Sequence, residues 1–156
     1  MGQRGINAKP IKIPKRKSSC SKKIDPSLPR VERNIAFIES LPVTSGILAG
    51  TQFKLRPFQR EIIEKIYRED KSGTRVVRQA VITMPRKNGK TGLSAALALL
   101  HFCGPEAVDR GQVYSAAAER QQAALLYNEM KAIIERVPSL SKRIIVRDFT
   151  KQLEDA

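Results

Sequence analysis

From residue 31 onward, stretches whose apolar residues recur every three or four positions alternate with short runs that are apolar almost throughout. Val31, Ile35, Ile38 and Leu41 form one helical stripe, which ends before Pro42. Phe58, Ile62, Ile63, Ile66 and Tyr67 form a second, with Pro57 in the first turn and Ser72-Gly73 as its stop. Leu93, Ala96, Leu97 and Leu100 line a third over Gly92 to His101, stopped by Gly104-Pro105. A fourth carries Ala123, Leu126, Tyr127, Met130, Ile133, Ile134 and Val137 and closes at Pro138. Between these lie three β-prone runs, Val76 to Thr83, Gln112 to Ala117 and Arg143 to Arg147. The order β, α, β, α, β predicts an α/β fold, a parallel, doubly wound sheet with right-handed crossovers flanked by helices. No internal repeat is visible.

Composition adds an asymmetry to this picture. A chain of 156 residues makes one domain at most, and 41% hydrophobic content suffices for a core in the later two thirds. The formal charge of +14 is concentrated at the start. Residues 1 to 33 hold ten Lys or Arg against Asp25 and Glu32, a net +8, together with Pro10, Pro14, Pro26 and Pro29. Too little apolar surface is available there to offset the entropy of ordering, so residues 1-30 are expected to form a mobile basic arm suited to nucleic-acid phosphates, or a solubilising tail. Cys20 and Cys103 stand far apart without metal-site spacing, which fits a reducing cytosol. Neither a membrane span nor a secretory signal is read in the sequence, so a soluble, intracellular protein is expected. His101, the only histidine, has no companion cluster and is expected to be structural.

The chemistry concentrates in Met84-Pro-Arg-Lys-Asn-Gly-Lys-Thr91, which follows the apolar run Arg78 to Thr83 and opens a helix. Its closing Gly-Lys-Thr matches the phosphate-cradling half of a P-loop. Lys90 would reach the β- and γ-phosphates of ATP, Thr91 would set its hydroxyl on Mg²⁺, and backbone N–H groups at the helix start would face the anion. The general pattern wants glycine where this chain has Met84, followed by Pro85. The bland reading is a surface loop with solvated cations.

Three segments together, Leu55-Arg-Pro-Phe-Gln59, Met84 to Thr91, and Val113 to Ala123, resemble consecutive signatures of the large terminase subunit of tailed bacteriophages. The resemblance covers the chain from about Val31 onward and implies a P-loop NTPase (RecA-like) domain over residues 31-156. In that family the P-loop typically lacks the first glycine and carries an arginine in its variable part, as Met84 and Arg86 do here. The resemblance implies that Gln59 contacts adenine, that Arg86 senses or stabilises the γ-phosphate, and that Asn88 and Gly89 shape the loop in which Lys87 also lies. It also implies that Ser115 to Gln122 couples nucleotide state to nucleic-acid grip. Double-stranded DNA, a portal protein, a small terminase subunit and further copies in a ring are the implied partners, in the cytoplasm of a bacterial host. No apolar strand ends in Asp-Glu; Asp148 is a poor substitute for the acidic Walker B residue, and the family's nuclease carboxylates are not found. The expectation is therefore an incomplete ATPase domain that binds nucleotide weakly and hydrolyses little. Another helicase-like translocase, or a basic DNA-binding remnant without activity, remains the alternative.

Overall fold

The computed structural model describes residues 24–155. Five helices and two strands follow one another: α1 (Arg30–Ser40), α2 (Pro57–Ile66), α3 (Lys90–Phe102), α4 (Arg120–Arg136), α5 (Pro138–Arg143), β1 (Ile144–Arg147) and β2 (Gln152–Asp155). Each of the four helical stripes becomes a helix, with shifted ends. The second stops at Ile66, ahead of Ser72-Gly73, because Tyr67 caps it and the chain then turns back through the Glu69–Arg75 bridge. Pro138 ends α4 and also starts α5, the position where its missing N–H costs nothing.

Helix α3 occupies the centre, packed against α1 and α4, with α2 laid on α1. Leu93, Ala95, Ala96, Ala98, Leu99 and Leu100 are all buried, so α3 is covered around most of its circumference. Small alanines allow the neighbouring helices to approach closely, and Ile35 and Ile38 of α1 and Ile133 and Ile134 of α4 complete the core. Chain reversal after α3 requires Gly104: an added Cβ would lie 2.9 Å from the backbone of Leu100 and from the Phe37 ring.

A polar cluster clamps this end of the molecule. The Arg30 guanidinium grips Glu106 through two hydrogen bonds of 2.7 and 2.8 Å, and Asn34 donates to the same carboxylate at 2.9 Å. Burial would raise the Glu106 carboxyl, but the bonds from Arg30 and Asn34 hold it below the usual carboxylate range. Arg30, expected within a mobile arm, is thus the first residue of α1 and a fixed structural element. Residues 24–29 of the expected arm are described and lead through a turn into α1, and residues 1–23 lie outside the described residues. Nearby, Tyr67 Oη and His101 Nε2 are 2.9 Å apart. Burial pushes the Tyr67 phenol up to about 12 and the His101 imidazole down.

The sheet departs from expectation. Among the described residues the only strands are β1 and β2, paired antiparallel as a hairpin with Ile144 opposite Asp155. The expected third strand therefore exists, but the polar tail folds back on it and makes it antiparallel. Val76 to Thr83 and Gln112 to Ala117 form no strand and no ladder, and Val81 and Tyr114 are 88% and 83% exposed. The physical reason is the missing neighbour. A parallel strand is stabilised by ladders at its sides and helices on its faces, and no described strand lies beside either run. A groove of about 790 Å³ opens instead between the second run, α4 and β2, lined by Tyr114, Leu126, Met130 and Leu153.

Removing the Glu106 carboxylate should unfold the chain more easily. Glu106→Ala is expected to cost roughly 2–4 kcal/mol in urea denaturation, below the cost for a wholly buried pair because Arg30 is 25% exposed and rehydrates. The His101 effect has a definite sign. Its imidazole is held below the ordinary value of 6.5 by burial, with Arg75 and Arg30 adding to the shift and Glu106 opposing it. Its contribution to stability is complete above that value and is lost as pH falls through it. Urea midpoints at about pH 7.5 and about pH 5.5 should differ less for His101→Gln than for the parent chain.

Candidate nucleotide-binding site

The site is built where the extended run 76–83 meets α3. Met84, in the place where a generic phosphate loop has glycine, turns its side chain against the core and fastens the start of the loop. Pro85 follows, and residues 86–89 make a turn that delivers the chain into α3 at Lys90. Two left-handed residues shape that turn, Lys87 at φ 66° and Gly89 at φ 74°. Such a conformation is cheap for glycine and costly for lysine, so the loop holds local strain at Lys87. Asn88 sits between them, half-buried, its Nδ2 donating to Pro85 O at 3.5 Å.

The electrostatics of this turn are one-sided. Arg86, Lys87 and Lys90 are exposed and form no ion pair with any described residue. Gly89 caps α3 without a side-chain acceptor, and the first amide of the turn to find one is that of Leu93, bonded to Gly89 O at 2.9 Å. The N–H groups of Lys90, Thr91 and Gly92 therefore meet no acceptor among the described residues. Three open amides at the positive end of a helix dipole, with three unpaired cations around them, form an anion cradle. The Thr91 hydroxyl is exposed at the same end.

Gln59 approaches this loop from α2. It is 3% exposed, accepts from Arg56 N–H at 3.0 Å through Oε1, and donates from Nε2 to Asn88 O at 3.3 Å. The first of these bonds is the returning half of a capping box, which satisfies an amide at the helix start. Arg56, within the segment Leu55 to Gln59 and not among the expected site residues, reaches Asn88 Oδ1 with Nη1 at 3.4 Å. Its position three residues before Gln59, at the helix cap, was the available signal. The fold thus brings Gln59, Asn88 and Gly89 together, sets Arg86, Lys87, Lys90 and Thr91 on the open rim, and adds Arg56 to the group.

Asp148 takes no part in this arrangement. It lies in the turn between β1 and β2, where the Lys131 ammonium and the Tyr127 hydroxyl of α4 both donate to it. The bond from Lys131 and that from Tyr127 keep it below the ordinary aspartate range. Among the described residues no group of three or more His, Cys, Asp or Glu side chains is placed to hold a metal ion. Ser115 Oγ donates to Ala123 O at 3.4 Å, so the segment from Ser115 to Gln122 is fastened to the start of α4. No helix of the described residues is long and apolar enough to cross a membrane.

Comparison with known proteins bears on the family and the fold. Residues 57–155 match the family model described as terminase large subunit, ATPase domain. The chain is 38% identical over 125 residues to the terminase large subunit of Enterobacteria phage HK97, covering 80% of this chain and 24% of that protein. The crystal structure of the HK97 bacteriophage large terminase superposes with a TM-score of 0.69 at 36% identity, over 82% of this chain and 25% of that one. The chain thus spans about a quarter of the length of these relatives.

The positive φ at Gly89 makes a direct demand on sequence. In Gly89→Ala the new Cβ would stand 3.5 Å from Gln59 Nε2, an ordinary contact, so the cost is conformational and should be about 1 kcal/mol. Thermal unfolding of the variant against the parent chain measures it; an unchanged midpoint would show that the turn adopts another conformation in solution.

Proposed function

The chain belongs to the terminase large subunit family, matching its ATPase domain, and we propose that residues 84–92 bind ATP with Mg²⁺ as part of a motor that drives double-stranded DNA into a procapsid. The observation that carries this reading is the anion cradle: open amides at the start of α3, ringed by unpaired Arg86, Lys87 and Lys90. Lys90 neutralises the β- and γ-phosphates, and Arg86 stabilises charge that develops on the γ-phosphate during transfer. Asn88 and Gly89 hold the loop in shape, and Lys87 adds its charge to the rim. Thr91 would hold a magnesium ion through its hydroxyl, and the ion would supply positive charge against the phosphates.

In this chain by itself the site binds without efficient turnover. Hydrolysis by this class requires a carboxylate beside the metal and another to polarise water. Among the described residues no carboxylate bonds to Arg86, Lys90 or Thr91, and Asp148 is held by α4. The net charge of +14 suits contact with the DNA backbone. Portal protein, small terminase subunit and further copies in a ring complete the proposed machinery, in the cytoplasm of a bacterial host.

Titration of the purified chain with a fluorescent ATP analogue and Mg²⁺, with phosphate release followed in the same samples, tests this reading. Lys90→Ala should weaken binding at least about tenfold, the loss of a charge-assisted phosphate contact, while release stays near background. Equal binding by the variant and the parent chain would refute a nucleotide site at this loop.

A further inference from the structure

Val43 and Thr51 close a loop whose tip is apolar and stands in solvent. Val43 N–H donates to Thr51 O and Gly50 N–H donates back to Val43 O, both at 2.8 Å, beside the bridge between Pro42 and Gln52. Within the tip, Ala49 N–H bonds Gly46 O at 3.1 Å, and Thr51 offers its N–H and its hydroxyl to Leu48 O at 3.0 and 2.8 Å. Gly46 and Gly50 supply the left-handed turns, at φ 76° and 85°. Thr44 pins the base of the loop to α4: its hydroxyl donates to Glu129, and Arg136 donates to its carbonyl at 3.0 Å. On this fixed frame Ile47 is 103% exposed and Leu48 63%. Scattered exposed apolar residues need no explanation, but two neighbours held out by a hydrogen-bonded loop do.

No residue from 40 to 53 is charged, in a chain of net charge +14. Nucleic acid and anionic lipid both select basic surfaces, so neither suits this tip. Its aliphatic pair fits an apolar pocket in a protein. Two copies of a strongly basic chain repel one another, and they repel least where charge is absent, which makes the tip a favoured point of approach for another copy. That copy carries a matching recess, the groove of about 790 Å³ between the run 112–117, α4 and β2, lined by Tyr114, Leu126, Met130 and Leu153. We propose that Ile47 and Leu48 of one copy form a knob that docks in this groove of the next. The contact joins two different surfaces, so it is head-to-tail, and each added copy presents a fresh knob and a fresh groove. The proposal rests on the reading that further copies assemble with this chain in a ring, and it names the surfaces they use. Two side chains cover well under the roughly 800 Å² per partner of a standard interface, so the contact between two free copies is weak. Ordering of the loop in advance removes that cost from docking.

Sedimentation velocity of the full 156-residue chain over a concentration series, at a salt concentration that screens the net charge, tests this. The parent chain should sediment faster as its concentration rises, and Ile47→Ser combined with Leu48→Ser should move that rise to at least about tenfold higher concentration. Both residues are exposed, so the circular dichroism spectrum should not change. Ala124→Arg, in the lining of the groove, should have the same effect; should it fail to fold, Gln121→Arg on the exposed rim replaces it. An equimolar mixture of the knob variant and the groove variant is the sharpest sample. One intact knob then faces one intact groove, so the mixture should form dimers and nothing larger. A monomeric parent chain, parent association that survives both variants, or a mixture that stays monomeric would overturn the knob. Binding of a fluorescent ATP analogue to the same samples separates the readings. Association that survives both variants leaves the copies to assemble through another surface, and loss of nucleotide binding alone defeats the phosphate loop and not the knob.

Discussion

Burial of α3 is the constraint from which the rest of the structure follows. Its apolar residues are covered by α1 on one side and α4 on another, and the two termini of α3 carry the loop of residues 84–89 and the polar cluster around Glu106. At one terminus the helix must begin abruptly out of an extended run, which makes a tight turn and leaves three amides open. At the other, the chain must reverse over Leu100 through Gly104, which sets Glu106 where Arg30 and Asn34 of α1 can hold it. The hydrophobic core fixes the position of both termini, so the site inherits its rigidity from packing rather than from its own few bonds.

The phosphate loop inverts the rules that the core obeys. Three cations stand together without counter-charges, amides stay unsatisfied at a helix start, and a lysine occupies a backbone conformation that favours glycine. Each choice costs stability. Their concentration at one turn is what identifies it, because structure-forming segments resolve such conflicts and binding segments keep them for the ligand. Two residues at the start of α2 offset part of the cost by bonding Asn88.

The opposite character marks the extended runs 76–83 and 112–117. They have strand-like composition, yet they expose Val81 and Tyr114 and make no ladder. Composition expresses the surroundings in which a run is stable; pairing depends on having a neighbour. Similarity to the HK97 large terminase extends over most of this chain and a quarter of that one. The helices satisfy their backbone groups internally and form without the rest, which extended runs cannot do.

Local pattern alone determined the four long helices, the loop that opens α3 and the family. Helical periodicity is a property of successive residues, and Gly89, Lys90 and Thr91 stand next to one another in the chain. Arg30 was assigned to a basic arm because nothing in its neighbourhood reveals Glu106, seventy-six positions away. Parallel strands were inferred from β-prone composition, whereas the hairpin of β1 and β2 arose because the polar tail could pair where no other partner stood. Gln59 was legible as a member of the site from its motif, but its burial and its bond to Asn88 come from two segments meeting in space. Residue type and spacing specify what a side chain can do; the contacts made across the fold decide which of those capacities is left free.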